Sequence, residues 1–186
     1  MPLYAPQNRD TLPGGLLDTG EEALDRAITA SGAVAMSTGT LRLSYFTARK
    51  GETISQARVV CGTVAAGATP TLIRVGVYSI DAAGGGTLVA STTNDTTLLA
   101  VTGTGYTKAL ASSFAKVAGQ RYAFGLLVVT GATAPQVLGS VFGAATETGT
   151  APRIAGSLSG QTDLPASFSD AALAATGFRI YGALLP

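Results

Sequence analysis

The stretch that decides the fold is Thr71–Asp95, "TLIRVGVYSIDAAGGGTLVASTTND". An apolar run rich in β-branched residues leads into an aspartate and a run of glycines, and a second strand-like run begins directly after Gly86. A phosphate-binding loop would need a lysine and a helix after the glycines, and neither pattern is present. A calcium loop would need several oxygen ligands, whereas Asp81 is the only acid beside the glycines. The stretch therefore predicts a β-hairpin whose turn uses glycine for positive φ angles.

Short strand-like runs recur from Thr40 onward. They are bounded by Gly, Pro, Asn, Asp or Ser and recur about every 8–12 residues, which is typical of antiparallel sandwiches and barrels. The runs are "TLRLSYFTA", "TISQARVVCGTV", "TLIRVGVYSI", "TLVASTT", "TTLLAVT", "GYTKALAS", "QRYAFGLLVVT", "PQVLGSVF", "RIAGSL" and "TGFRIYGALLP". No stretch after residue 38 keeps a helical apolar period for three turns, although "SDAALAATG" suits one turn. We therefore predict an all-β fold built from antiparallel strands over residues 39–186.

Residues 1–38 have a different composition and are predicted to form a separate docking arm. Three prolines and a glycine pair in the first 17 residues suit an extended chain. "DTGEEALDRAI" predicts one short helix that Asp18 or Thr19 could cap, with Glu21 and Glu22 in its first turn. "TASGAVAMSTG" is predicted to be a connector. The candidate contacts of the arm with a partner are its apolar residues Leu3, Tyr4, Leu12, Leu16 and Leu17.

The composition restricts the chemistry that the chain can perform. The sequence has no histidine, which excludes Ser–His and Cys–His nucleophilic pairs, and its single cysteine excludes a disulfide within the chain. Cys61 lies in an apolar run and is predicted to be a small buried hydrophobe. A net charge of +1 gives no electrostatic argument for nucleic acid, and every apolar run is too short to span a membrane. We expect no catalytic residue, metal or cofactor.

Two residue types leave binding alternatives open. The acids of the strand-rich part lie mostly in turn-like contexts and are predicted to be surface residues; they are Glu52, Asp81, Asp95, Glu147, Asp163 and Asp170. A weak cation site between Asp163 and Asp170 is the alternative. Aromatic rings can stack on sugars, but Tyr45, Tyr78, Tyr122 and Tyr181 lie within strand patterns and are predicted to pack in the core or on a sheet face.

Three segments together resemble a known family of proteins. "TPTLIRVGVYSIDAAGGGTLVAST", "AKVAGQRYAFGLLVV" and "RIYGALLP" are similar to the jelly-roll proteins of tailed bacteriophages, especially phages of actinobacteria. The matching motifs are R-x-G-V-Y from Arg74 to Tyr78 and the turn that opens the strand at Tyr122, where Ala118 replaces a frequent proline. "LSYFTARKGETISQ" and "DLPAS" also resemble segments of that family. The resemblance covers about residues 40–186 and implies a jelly-roll β-sandwich.

The resemblance implies a non-enzymatic structural protein of the virion. Such proteins are usually labelled minor tail proteins, so we expect a position at the tail or its tip, with roles in assembly and host attachment. Alternatives are a capsid decoration protein or head fibre, and a carbohydrate-binding module. Charged residues are only 12% of the chain, which suggests that other subunits cover much of the surface. The expected partners are other virion proteins, further copies of the chain in a closed trimer, and a host-surface glycan, without nucleic acid or membrane insertion.

Overall fold

The computed structural model describes residues 20–25, 28–68, 70–142 and 149–186, and β-strands predominate in these residues. The strands are β1 (Glu21–Glu22), β2 (Ala30–Ala35), β3 (Leu41–Thr47), β4 (Glu52–Val60), β5 (Pro70–Ile80), β6 (Gly86–Ser91), β7 (Gly105–Lys116), β8 (Arg121–Thr130), β9 (Gln136–Val141), β10 (Ala155–Leu158), β11 (Ser167–Phe168), β12 (Phe178–Ile180) and β13 (Ala183–Leu185). One turn of 3-10 helix spans Asp170–Ala172. The named strands pair antiparallel, which confirms the predicted fold class.

The strands form sheets that curl into a half-barrel. The largest has the order β10-β3-β8-β5-β6-β11, and opposite it lie a sheet with the order β1-β13-β4-β7 and another with the order β12-β9-β2. The C-terminal segment connects the two smaller sheets, because β12 pairs with β9 and β13 pairs with β4. The two smaller sheets also meet directly at one point, because Cys61, which follows β4, forms a bridge with Val137 of β9.

The order of the strands bears on the expected jelly roll. Strands β3, β8, β5 and β6 are neighbours in the largest sheet, while β2, β9, β4 and β7 follow one another on the other side, with the C-terminal segment between β9 and β4. A jelly roll distributes eight strands over two facing sheets. The observed order agrees with that arrangement, and the jelly roll itself stays a prediction.

The main core lies between the largest sheet and the two smaller ones. Apolar side chains from both sides are almost completely buried in it: Phe124, Leu126, Val128, Val75, Val77, Ile54, Val59, Val34, Val137, Ile180 and Leu184. Strand β8 is buried along nearly all of its length, because a second core covers the other face of its sheet. The largest sheet therefore buries side chains on both of its faces.

The second core lies on the outer face of the largest sheet. Leu41, Leu43 and Tyr45 of β3 pack there with Tyr78 of β5, so the apolar residues that alternate along β3 face away from the main core. A segment over residues 159–174 covers them with the side chains of Leu164, Phe168 and Leu173. This segment contains β11 and the 3-10 helix, and it adds a third layer over the sandwich.

The glycine-rich stretch forms the predicted hairpin between β5 and β6. One carboxylate oxygen of Asp81 accepts hydrogen bonds from the backbone N–H groups of Ala83 and Gly85, both at 2.8 Å. Gly84 has a φ angle of +85°, a conformation that residues with a side chain rarely adopt. The aspartate and the glycines therefore close a turn, and the predicted hairpin is confirmed.

The predicted helix near Glu21 is wrong. Glu21 and Glu22 form strand β1, which pairs with Leu184 and Ala183 of β13. Ala23 and Leu24 are also buried, at 3% exposure each. A helix this short is marginal in isolation, so pairing and burial outweigh its local propensity and its favourable acids in the first turn.

Two further expectations need correction. The predicted connector contains β2, which pairs with β9, so the described residues between 20 and 38 contribute two strands to the sandwich. The predicted strand "TTLLAVT" is a turn instead, because the carboxylate of Asp95 accepts hydrogen bonds from the backbone N–H and the hydroxyl of Thr97. Leu99 in this turn has a φ angle of +63° and is fully buried, so burial of its side chain stabilises a backbone conformation that leucine rarely adopts.

Candidate functional site

The five residues predicted to dock a partner, Leu3, Tyr4, Leu12, Leu16 and Leu17, lie outside the described residues. Glu147 lies outside them as well. Their predicted roles therefore stay predictions.

The acids predicted to lie in surface turns mostly have cationic partners. Asp163 accepts a hydrogen bond from Arg74 at 2.6 Å, and Asp170 accepts one from Arg153 at 2.6 Å. Each aspartate is thus paired with its own arginine, and the alternative of a weak cation site between Asp163 and Asp170 stays a prediction. No group of three or more acidic, histidine or cysteine side chains comes together among the described residues.

Asp95 is the acid whose titration the structure changes most clearly. Hydrogen bonds from Lys108 and Thr97 lower the pKa of the Asp95 carboxyl to about 2, against a small opposing effect of burial. The Lys108 ammonium also forms an ion pair with the second oxygen of this carboxylate. Asp95 therefore fixes the turn after β6 to strand β7.

An open cleft lies between the hairpin turn and the segment that covers the second core. It is lined by Asp81, Ala83, Gly85 and the residues from Ser167 to Ala171. Its two carboxylates already accept hydrogen bonds, Asp81 from the turn and Asp170 from Arg153. The cleft is shallow, and its acids stabilise the local structure.

The four strand tyrosines are buried, as predicted. Tyr45, Tyr78, Tyr122 and Tyr181 are each between 0% and 4% exposed, so their rings pack inside the molecule and do not form a platform for sugar stacking. The prediction for Cys61 is also confirmed, because the residue is fully buried. Burial raises the pKa of the Cys61 thiol above its ordinary value.

Two of the segments that carry the resemblance, R-x-G-V-Y and "DLPAS", contact each other in the structure. Arg74 of the R-x-G-V-Y motif binds Asp163 of "DLPAS" and also donates hydrogen bonds to the carbonyl of Thr92 at 3.0 Å and to the hydroxyl of Ser91 at 2.8 Å. Gly76 lies beneath Leu164, where a Cβ atom would come within 3.1 Å of the leucine side chain. The motif residues thus hold the covering segment on the outer face of the sheet.

Tyr78 completes the same arrangement. Gly76 and Gly125 lie opposite each other on β5 and β8, and a Cβ atom on either would come within 3.1 Å of the same carbon of the Tyr78 ring. The ring therefore lies over a gap that the two glycines leave in the sheet. The Tyr78 hydroxyl is buried without a hydrogen-bond partner, and burial raises its pKa.

A buried ion cluster joins the described N-terminal segment to the sandwich. The side chain of Lys116 is fully buried and its Nζ contacts Oε2 of Glu21 and, at 2.8 Å, Oε1 of Glu52. The other oxygen of Glu21 accepts a hydrogen bond from the backbone N–H of Arg49 at 2.8 Å. The other oxygen of Glu52 lies 3.1 Å from Nζ of Lys50, which is partly exposed.

The sheet brings these side chains together. Glu52 begins β4 and pairs directly with Lys116 at the end of β7, while β1 places Glu21 above them. Burial alone would raise the pKa of Glu52, but hydrogen bonds and positive charge from Lys116 and Lys50 outweigh burial and hold that pKa below its ordinary value. Removing one partner from a buried ion pair generally leaves a costly unpaired charge, so the cluster strongly favours the docked β1.

The sequence contained one signal for this cluster. Residues two apart in a strand point to the same face, so the apolar Phe114 two positions before Lys116 indicates that Lys116 points inward too. The contribution of Glu21 carried no such signal, because its strand depends on pairing with residues more than 160 positions away.

The comparisons with known proteins do not identify the chain. No protein-family model matches it, and no curated protein matches it either. No helix in the described part of the chain is long and apolar enough to cross a membrane.

Proposed function

We propose that this chain is a structural protein of a bacteriophage particle, a minor tail or tail-tip protein that acts by assembly and attachment and not by catalysis. The observation that carries the proposal is the contact between two segments of the resemblance, R-x-G-V-Y and "DLPAS": Arg74 pairs with Asp163, and Gly76 lies beneath Leu164. In this chain these motif residues hold layers of the fold together. The strand order, which agrees with a jelly roll, supports the same interpretation.

Residues 1–19 are the proposed anchor to the rest of the particle, through Leu3, Tyr4, Leu12, Leu16 and Leu17. The segment that follows them is bound to the sandwich by β1 and by the buried contact of Glu21 with Lys116. A force applied to the anchor would therefore be transmitted directly to the sheets. Deleting residues 1–19 should leave the thermal unfolding of the sandwich unchanged and prevent its incorporation into particles, whereas incorporation of the truncated chain would contradict the anchor.

The proposed contact between subunits is the edge formed by β7, the outermost strand of its sheet, outside the position where Leu110 forms a bridge with Thr92. Its exposed positions are all small and uncharged: Gly105, Thr107, Ala109, Ala111, Ser112, Ser113 and Ala115. The partly exposed Lys108 of the same strand is paired with Asp95. Proteins commonly protect free edges with charges, so an uncharged edge suits a second copy, and a closed trimer would cover every such edge.

Light scattering tests the trimer. The wild-type chain should be trimeric at micromolar concentration, and Ala111→Lys should shift it to monomer by placing a charge in the contact. Val117→Lys is the matched control, because Val117 is 60% exposed but lies beyond the end of β7. A wild-type monomer, or equal effects of the two lysines, would contradict the proposed contact.

Immunogold labelling of intact particles tests the function itself, with an antibody against residues 40–186. Label at the tail is the expected result. Label over the head would replace the tail assignment by a capsid decoration protein or head fibre. Particles without label would overturn the virion proposal, and a carbohydrate-binding module would then be tested on an array of host-wall glycans.

A further inference from the structure

We propose that Lys116 and Glu21 are joined after folding by an amide bond between their side chains, and that Glu52 moves the proton in this reaction. The proposal concerns the buried ion cluster and does not depend on the role of the protein in a particle. It assigns a self-catalysed modification site to residues that otherwise form only an ion pair.

The two reacting groups are already in contact. Nζ of Lys116 touches Oε2 of Glu21, and the lysine side chain is 0% exposed while that of Glu21 is 6% exposed. Only the neutral amine is a nucleophile, so the ammonium of Lys116 must first pass a proton to a carboxylate that it contacts. Holding the groups in contact also removes the entropic cost of bringing them together.

Two further groups complete the reaction site. The backbone N–H of Arg49 donates to Oε1 of Glu21 at 2.8 Å, where negative charge would develop during attack on the carboxyl carbon. Oε1 of Glu52 lies 2.8 Å from Nζ of Lys116, within reach of the proton that the amine must lose. Lys50 lies 3.1 Å from the second oxygen of Glu52 and stabilises its carboxylate form.

The reaction balances without any other reactant. Nζ of Lys116 attacks the carboxyl carbon of Glu21 and forms the new C–N bond. Glu52 accepts the proton from Nζ and delivers it to the departing oxygen of Glu21, whose C–O bond breaks. One water molecule leaves, no atom is oxidised or reduced, and Glu52 returns to its starting state. The neutral amide then replaces two buried charges whose desolvation is unfavourable.

The position of the bond gives it a structural role. Strand β1 has two residues and lies at the outer edge of its sheet, so few hydrogen bonds hold it in place. The amide would connect β1 covalently to the end of β7 across the sheet. The described N-terminal segment could then not separate from the sandwich without breaking a covalent bond.

Intact mass spectrometry of the denatured full-length chain tests the proposal. The wild-type protein should be lighter than its sequence by one water molecule, and digestion should release a branched peptide that joins residues 21 and 116. Lys116→Arg should have its full sequence mass, because arginine retains the charge but does not form this amide. Glu21→Gln should lose one ammonia in place of water.

The role of Glu52 has its own test. Glu52→Gln keeps the shape of the side chain but cannot accept the proton, so the unlinked form should accumulate in freshly folded protein. Arg58→Gln is the matched control, because it removes a charge from the same strand as Glu52, where Arg58 bonds to Thr107 outside the cluster, and leaves the reacting groups in place. A wild-type chain with its full sequence mass would overturn the proposal, and so would a water loss that persists in Lys116→Arg. The branched peptide from the wild type decides the question if a variant does not fold.

Discussion

Replacing Gly182 by alanine should strongly destabilise the protein. Gly182 connects β12 to β13 and lies directly over the ring of Phe124 in the main core. An added Cβ atom would come within 2.3 to 2.4 Å of three carbons of this ring. Carbon atoms in contact are normally about 3.5–4.0 Å apart, so the ring or the C-terminal segment must move by about 1 Å or more.

The surroundings leave little room for that movement. Phe124 is fully buried in a core packed at the density of an organic crystal. Overpacking of this kind costs about 1–3 kcal/mol, and contact with three ring atoms favours the upper end of the range, about 3 kcal/mol. For a chain of this length each kcal/mol lowers the melting temperature by about 2–4 °C, so we expect a decrease of roughly 6–12 °C.

Thermal and urea unfolding measure this effect against two references. Gly131→Ala is the matched control, because a Cβ atom at Gly131 meets nothing within 4 Å and its melting temperature should stay close to that of the wild type. Phe124→Leu shortens the side chain below Gly182, so the double variant should be less destabilised than the sum of the two single variants. A Gly182→Ala protein that unfolds with the wild type would show that the C-terminal segment does not cross Phe124.

Two further predictions concern single polar groups. Tyr78→Phe removes a buried hydroxyl that has no partner, so it should raise the free energy of unfolding by up to about 1 kcal/mol. Tyr122→Phe should lower the free energy of unfolding by about 1 kcal/mol, because the Tyr122 hydroxyl accepts a hydrogen bond from the backbone N–H of Val117 at 3.1 Å. Equal effects of the two variants in urea unfolding would contradict this argument. The pKa of Asp95 is lowered from 3.8 to about 2, chiefly by Lys108, so its charged form stabilises the fold above pH 3.8 and this stabilisation is lost as the pH falls through about 2. The difference in melting temperature between the wild type and Asp95→Asn should therefore shrink over that interval, and a difference that is independent of pH would refute the assignment.

Local patterns predicted most of the strands between β3 and β9. The β5–β6 hairpin is the clearest case, because both its strands and its turn depend on residues within Thr71–Asp95. The alternation in β3 predicted a strand but not the surface that it faces. Leu41 and Leu43 point toward a second core whose cover, residues 159–174, comes from a distant part of the chain.

Long-range pairing explains the wrong helix prediction, and a side-chain hydrogen bond within a turn explains the wrong strand prediction. Glu21 and Glu22 have the features of a helix start, and only their pairing with β13 and the buried Lys116 make them a strand. Leu98 and Leu99 have the composition of a strand, but the side chain of Asp95 starts a turn that buries both. In each case a specific contact outweighs a propensity of roughly a few tenths of a kcal/mol per residue.

Hydrogen bonds join the described N-terminal segment, residues 20–25, to the C-terminal segment. The backbone N–H of Ala23 donates to the carbonyl of Gly182 at 2.8 Å, and the guanidinium of Arg179 donates to the carbonyl of Ala23 at 2.5 Å. The hydroxyl of Tyr181 donates to the carboxylate of Glu22 at 3.1 Å. Because the C-terminal segment itself pairs with β9 and β4, a force on the N-terminal segment passes through it into both smaller sheets. A variant that loosens the C-terminal segment, such as Gly182→Ala, should therefore weaken the attachment of β1 as well as the core.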